Sequence, residues 1–232
     1  FELNPGQPDT AVVRSMWNGK MQPVIPGSSL KGVFRNRAEK YFPDCCNINK
    51  KASENKCYNK SRGLKKGKKI YEAVCESCRL FGCRTLRGRA EFSDAFPVEE
   101  TVKINTRYQV AIDRLTGAAK KNALFEFEVV EAGTFKAEIL IRNFSSKQLK
   151  VLLQVIQDIN DGYVRLGSST SRGFGRIKAE NVVITCRDYT KPGNEIGQFF
   201  EKEYDLNACL ENLSNISINN PDEVSINEIP CS

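Results

Sequence analysis

The chain has 232 residues, 40% of them apolar, and a formal net charge of +7, which is enough for one large domain with a true core. It holds no stretch of about 18 consecutive apolar residues, so no membrane-spanning helix is readable in it. Histidine is absent, which excludes a Ser-His or Cys-His nucleophile and the imidazole acid–base chemistry of many ribonucleases.

The opening, Asn4 to Thr10, is turn-rich. It lacks the basic-then-apolar order of a signal peptide. It also lacks an initial methionine, and the chain as given is expected to begin inside a first strand. "AVVRSMWNGKMQPVIP" reads as two short extended pieces joined at Asn18-Gly19, a hairpin-type turn. In "IPGSSLKG" that follows, Ser28 or Ser29 is placed to cap a helix running to about Tyr41. Leu30, Val33, Phe34 and Ala38 fall on one face of it at helical spacing, and Pro43 ends it.

Asp44 to Lys69 differs: nine Lys/Arg against two acids, few large apolar residues, and no means of burying a core alone. Cys45, Cys46 and Cys57 lie in it, and Cys75, Cys78 and Cys83 follow. From "GRAEFSDAFPVEE" onward the pattern is strand and turn. "LFEFEVV" and "TFKAEILI" alternate as strands do, around a basic, turn-rich stretch from Asp113 to Asn122. "SSKQLKVLLQVIQDINDG" is a second amphipathic helix, capped by Ser145 or Ser146, with Leu149, Leu152, Leu153 and Ile156 facing the core. "RLGSSTSRGFGR" leads to a last strand, "IKAENVVIT".

Residues 191–232 hold two lysines and eight acids, a net of −6, and read as an acidic, linker-like tail. Residues 1–190 then hold 33 basic and 20 acidic residues, a net of +13. A basic body points to a polyanion partner or to solubility alone, and charge by itself leaves both open. The element order suits an α+β, ferredoxin-like (RRM-like) sandwich over residues 1–190.

Three constellations can carry chemistry. In "IPGSSLKG" the Pro26-Gly27 turn brings Ser28, Ser29 and the first helical amides to where an anion can bind. Lys31 and Arg35, four apart, share a face that can reach a phosphodiester chain. The alternative is an ordinary N-cap with a surface lysine. In "RLGSSTSRGFGR", Gly167, Gly173 and Gly175 permit close backbone approach, and Arg165, Arg172 and Arg176 supply charge. No Gly-Lys-Ser/Thr ends it and a strand rather than a helix follows, so it is neither a Walker loop nor a dinucleotide fingerprint. A flexible loop with solvated arginines is its alternative.

The third constellation is Cys75-x-x-Cys78, with Cys83 five residues on and Cys45, Cys46 and Cys57 upstream. An odd total of nine cysteines without a secretory signal argues against a disulfide framework. A core-poor insert beside a CxxC is where structural zinc replaces hydrophobic burial. Cys46, Cys75, Cys78 and Cys83 form the expected tetrahedron, with Cys45 or Cys57 as substitutes. A redox CxxC is the competitor, but the thioredoxin-like flanks are missing. Cys186, Cys209 and Cys231 stand apart. Asp9, in a turn before "AVVR", carries no chemistry on its own evidence.

Taken in order, "IPGSSLKGVFRNRAEKYF", "CESCRLFG", "AIDRLTGAAKKNALFEFEVVEAGTF" and "LGSSTSRGFGR" resemble the RAMP backbone subunits (Cas-seven type, with a zinc-binding insert) of type III CRISPR–Cas effector complexes. The resemblance covers residues 1–187. It implies that 44–85 is the zinc insert and that 105–125 is a thumb hairpin, which intrudes between guide and target and flips out a base. It gives guide-RNA contacts to Ser28, Ser29, Lys31 and Arg35, to Asp113, Arg114 and Thr116, and to Gly167, Arg172, Gly173 and Gly175.

Target-cleaving members carry an aspartate before the Pro-Gly-Ser-Ser turn, and Asp9 in "DTAVVRS" falls on it, with Ala11 and Ser15 as departures from the pattern. The resemblance then implies an endoribonuclease using Mg2+ or Mn2+ and leaving 2′,3′-cyclic phosphate and 5′-OH ends. Its partners would be guide RNA, complementary target RNA and neighbouring RAMP subunits, in the prokaryotic cytoplasm, in antiviral defence. A non-catalytic guide-binding scaffold is the rival reading, and a guide-processing ribonuclease ranks lower. The linker-like tail and missing first strand suggest one segment of a longer fused effector.

Overall fold

The structure is a computed structural model, and it describes residues 8–51, 54–98, 101–193, 199–215 and 218. In chain order, β1 (Arg14–Trp17) and β2 (Lys20–Pro23) precede α1 (Gly27–Ala38). The cysteine-bearing stretch, expected to be an insert and called the insert, follows with α2 (Lys56–Ser61), α3 (Gly67–Ala73) and α4 (Glu76–Phe81). Short strands come next: β3 (Gly82–Cys83), β4 (Leu86–Arg87), β5 (Ala90–Phe92) and β6 (Phe96–Pro97). The long pair β7 (Lys103–Ile112) and β8 (Ala119–Ala132) is followed by β9 (Phe135–Lys136), β10 (Ile139–Ile141) and α5 (Ser146–Asn160). β11 (Val183–Pro192), β12 (Phe199–Asp205) and α6 (Leu206–Asn212) close the described chain.

This is a mixed α/β protein. Among the described residues the strands pair in six two-stranded ladders rather than in the single antiparallel sheet expected of a ferredoxin-like sandwich. Many strands are only two to four residues long, too short to extend a ladder beyond a local partner. The chain divides into two compact units, Phe1–Ser28 with Phe92–Ile139, and Ser29–Glu91 with Leu140–Ser232. The turn-rich start, residues 1–7, lies outside the described residues, as do the expected first strand and Cys231.

In the first unit, β1 and β2 form the expected hairpin, Arg14 opposite Pro23 and Trp17 opposite Lys20. Asn18 and Gly19 sit at φ +48° and +76°, the two positive values that a tight two-residue hairpin turn requires. Trp17 stacks on Phe96 with ring centroids 4.2 Å apart. Beyond β2 the chain is locked in place by Ile25 and Ala95, whose amides and carbonyls bond reciprocally at 3.0 and 2.9 Å. Then Gly27 meets backbone. A Cβ there would stand 2.4 Å from the Phe92 carbonyl oxygen, so only glycine fits. β7 and β8 pair from Lys103 opposite Ala132 out to Ile112 opposite Ala119, a longer arm than the expected 105–125.

In the second unit, α5 is the expected helix. Ser145 accepts from the Gln148 amide and Gln148 caps back, a complete capping box. Leu149, Leu152 and Leu153 are buried, as are Val151 and Val155, so the helix is covered on more than the one face its leucines mark. The segment read as a linker-like tail holds β12, paired to β11 from Asp205 opposite Val183 to Phe200 opposite Asp188, and α6. Leu213, 1% exposed, and Cys209 pack on Leu149 and Leu153. Lys150 Nζ donates to the Ser214 carbonyl at 2.9 Å. The acids of this segment masked its few apolar residues, whose helical spacing from Leu206 to Leu213 is enough to dock one short helix. Leu213→Ala is expected to lower the unfolding free energy by about 2–4 kcal/mol, read by urea denaturation; an unchanged midpoint would mean that α6 is not part of the core.

Candidate functional site

The residues around Asp9 are held by the long hairpin of their own unit. Asp9 Oδ2 accepts from the Glu126 amide at 2.9 Å. The Thr10 amide donates to the Glu126 carbonyl and the Glu128 amide to the Thr10 carbonyl, at 3.3 and 2.9 Å. Two residues on, the Glu128 carboxylate takes the Val12 amide at 2.9 Å and both arms of Arg14, each at 2.8 Å. Arg14 holds the Glu128 carboxyl below the usual carboxylate range. The Asp9 side chain is exposed and its orientation is set by a backbone donor, while a carboxylate keeps further lone pairs for a cation or a hydroxyl. Glu128 is a residue that sequence reasoning missed; its contacts lie 114 and 116 positions away in the chain, where no local pattern reaches.

The start of α1 is built differently from expectation. The helix begins at Gly27, and neither serine is its cap: the Gly27 amide donates to Asp94 Oδ1 at 2.7 Å. Asp94 thus supplies the negative charge a helix N-terminus favours from 67 residues away. Ser28 and Ser29 lie exposed in the first turn. Lys31 is half-buried; burial first, then Arg35, push its ammonium below the ordinary lysine range, and Glu91 opposes them.

Arg35 does not present its charge beside Lys31. Its side chain is 12% exposed. It donates to Glu39 Oε1 at 2.8 Å, to the Gly82 carbonyl at 2.8 Å and to Cys78 Sγ at 3.6 Å. The guanidinium expected to reach phosphate thus bonds here to Glu39, Gly82 and Cys78.

The insert brings four sulfurs together. Cys46, Cys57, Cys75 and Cys78 have their Sγ atoms within 4.8 Å of one another, a set that could hold a metal. Cys46, Cys57 and Cys78 are buried and Cys75 is half-buried. Cys46 and Cys78 approach to 3.3 Å, and the Cys75 amide donates to Cys57 Sγ at 3.2 Å. Cys83, an expected ligand, lies outside the set; its sulfur meets Thr85 Oγ1 at 3.5 Å. Cys83 still packs against the cluster, but Cys57, expected only as a substitute, completes the four-sulfur set from α2. Cys45 is adjacent, its thiol bonding to Cys75 and to the Phe42 carbonyl.

The thiol protons are unevenly shared. Hydrogen bonds from Cys45 and then Cys78 pull the Cys75 thiol down. The Cys78 thiol is pushed up, first by its bond to Cys75 and then by burial. Burial pushes Cys57 up to about 12. Four crowded sulfurs of this kind suit a soft or borderline cation.

At the end of the long hairpin, Asp113 Oδ1 accepts from the Leu115 and Thr116 amides at 2.9 and 3.0 Å. These bonds hold the Asp113 carboxyl below its usual range, Thr116 the larger cause. Asp113 and Thr116 thus build the turn, Gly117 closes it at φ +67°, and Arg114 and Leu115 are its outward members, Leu115 97% exposed. The glycine-rich loop in the second unit is closed by an Arg165–Arg176 bridge and a Leu166–Gly175 bond of 2.9 Å. Gly167, Gly173 and Gly175 all take positive φ, and a Cβ on Gly175 would lie 2.1 Å from the Leu166 carbonyl. Arg172 ends the single 3-10 turn in the loop.

Residues 19–178 match the sequence profile of the RAMP superfamily. A curated protein of Methanocaldococcus jannaschii, named CRISPR system Cms endoribonuclease Csm3, is 30% identical over 199 residues, 80% of this chain and 73% of the relative. The protein of the same name from Methanothermobacter thermautotrophicus is 27% identical over 82% of both chains. That from Streptococcus thermophilus is 26% identical over 70% of this chain and 71% of its own.

The two candidate ligand sets make different predictions. Cys57→Ser is expected to lower metal content in the purified protein and Cys83→Ser to leave it at the wild-type level, by elemental analysis; the reverse result would return the fourth place to Cys83. Metal binding must displace protons from the raised Cys57 and Cys78 thiols, so apparent affinity should rise with pH, measured by chelator competition.

Proposed function

The chain belongs to the RAMP superfamily, and on that footing we propose that it is a backbone subunit of a type III CRISPR effector that binds guide RNA and cuts complementary target RNA with Asp9. The relatives' shared name carries the activity. The observation in this molecule that carries the assignment to Asp9 is its exposed carboxylate, fixed on β8 by the Glu126 amide. The scissile step would join the ribose 2′ oxygen to phosphorus and release the 5′ oxygen, giving a 2′,3′-cyclic phosphate and a 5′-hydroxyl. A hydrated Mg2+ or Mn2+, when bound, would supply positive charge at the phosphoryl oxygens. Asp9 contributes a carboxylate of set direction to hold such an ion or to orient the 2′-OH. Glu128, through Arg14 and Val12, keeps the loop from swinging. Geometry rather than a tuned imidazole then does the catalytic work, in keeping with a histidine-free chain.

Guide binding is assigned to Ser28, Ser29 and Lys31 at the start of α1. Arg114 and Leu115 at the hairpin tip, the thumb, are assigned to the guide–target boundary. The glycine loop with Arg172 is assigned to the guide backbone. The protein would read backbone and shape, leaving sequence to base pairing, beside neighbouring subunits of the same kind. The four-cysteine set is assigned structural Zn2+, the borderline-soft ion that four thiolates suit best. The small ladders are read as pieces of a ferredoxin-like sandwich interrupted by the insert and the thumb. The prokaryotic cytoplasm, where such guides are made, is the assigned compartment.

A scaffold that binds guide without cutting is kept as the second reading because Ala11 and Ser15 replace a proline and an acid of the cleaving pattern. In complexes assembled with guide, complementary RNA and Mg2+, Asp9→Ala is expected to slow cleavage at least about 100-fold while target binding persists. Equal cleavage by both proteins would favour the scaffold. Lys31→Ala should weaken RNA binding and reduce the slope of log affinity against log salt by about 0.7; an unchanged slope would remove Lys31 from the phosphate contacts.

A further inference from the structure

We propose that Arg35 is a positioning residue of the four-cysteine metal centre, and that it couples metal occupancy to the RNA-binding start of α1. The proposal rests on the metal reading above. Arg35, on α1, and Glu39, just past its last residue, are four positions apart, and both bond to the cysteine-bearing segment. Glu39 Oε1 accepts from Arg35 Nε at 2.8 Å and from Ser77 Oγ at 2.7 Å. Ser77 is fully buried and stands between Cys75 and Cys78. Arg35 completes the arrangement with Nη1 on the Gly82 carbonyl at 2.8 Å, at the C-terminal end of α4, and Nη2 toward Cys78 Sγ at 3.6 Å. One guanidinium thus holds a carboxylate, a carbonyl and a ligand sulfur in a fixed fork.

The chemistry favours this role. Four thiolates around a divalent ion carry a net charge of −2. A neighbouring cation with N–H directed at sulfur offsets part of it and orients the ligand, as outer-shell donors do. One buried cluster of this segment is Cys46, Cys57, Val74 and Cys78, and Arg35 reaches it from α1 through polar contacts. The polar fork is what the helix offers it. Because Lys31 sits one turn before Arg35 on the same helix, loss of the metal would loosen the clamp that steadies the RNA-binding turn. An arginine serving RNA directly would instead spend its charge on phosphate, and that difference is measurable.

The test uses the purified 232-residue chain, Co2+ as a spectroscopic probe for the thiolate site, and a single-stranded RNA oligonucleotide. Arg35→Gln is expected to weaken Co2+ binding about 10- to 100-fold. With saturating Zn2+ its RNA affinity should recover toward wild type, with the slope against salt unchanged. Glu39→Gln, which leaves the arginine but removes the group that aims it, should weaken Co2+ binding in the same direction and guards against a misfolded first variant. Wild-type Co2+ affinity in both variants would overturn the proposal, and so would a salt slope reduced by about 0.7 in Arg35→Gln at full metal loading, since that is the signature of a phosphate contact. If the wild-type chain takes up no Co2+, the metal reading fails and this inference with it; if wild type binds and the variants bind equally, only this inference fails.

Discussion

Four sulfur atoms within 4.8 Å of one another are the constraint on which the insert depends. From Asp44 to Lys69 the sequence offers nine positive charges and almost nothing large to bury. Three short helices of six or seven residues have too few turns to be stable singly. This segment and the one after it nevertheless contribute cysteines to one point: Cys46 before α2, Cys57 within it, Cys75 and Cys78 around the start of α4. Three of the sulfurs share a buried cluster with Val74, Leu80 and Phe81 are buried as well, and Asn55 bonds the Asn47 carbonyl at 3.0 Å.

The second unit therefore has two kinds of interior. Around α5 the burial is conventional, with Val151 and Val155 fully enclosed and α6 laid over Leu149 and Leu153. The cysteine-bearing segment adds buried sulfurs to a few apolar residues, Val74, Leu80 and Phe81. Arg37, on α1, and Tyr41, three residues beyond its end, show how this stretch also serves the conventional side: both bond the buried carboxylate of Asp158 at 2.6 Å. Arg37 and Arg35 are two positions apart, and neighbouring positions of that kind face different neighbours on a helix. A sequence reading that sees a row of arginines near a phosphate-type turn cannot tell these inward charges from outward ones.

That distinction marks how far the sequence was readable. The hairpin at Asn18-Gly19, the α5 capping box at Ser145 and the presence of a cysteine centre are local signals, and each appears where its residues stand. Cys75 and Cys78 were legible as a pair because two cysteines three apart at a helix start carry their own geometry. The fourth sulfur of the set was not, since Cys57 and Cys83 both reach the same cluster and only the fold brings the Cys57 sulfur within 4.8 Å of the other three. Asp94 as the cap of α1, and Glu128 as the anchor of the Asp9 loop, belong to the same class: each contact spans 67 residues or more. The helix of the tail was lost to its charge, because acids on a short segment outweigh three or four apolar residues in any average.

The turn at the end of the long hairpin separates two properties that are often tied together. Asp113, Thr116 and Gly117 close the turn with their own hydrogen bonds and backbone angles, and the ten residues of β7 give the arm a length of about 33 Å. Leu115 lends the turn its backbone amide, while its side chain, 97% exposed, points outward with the exposed Arg114. The arm's reach and the identity of what it presents are consequently independent variables. Substitutions at those two positions alter surface chemistry at a fixed distance from the body, so the molecule can be retuned at its extremity without refolding anything behind it.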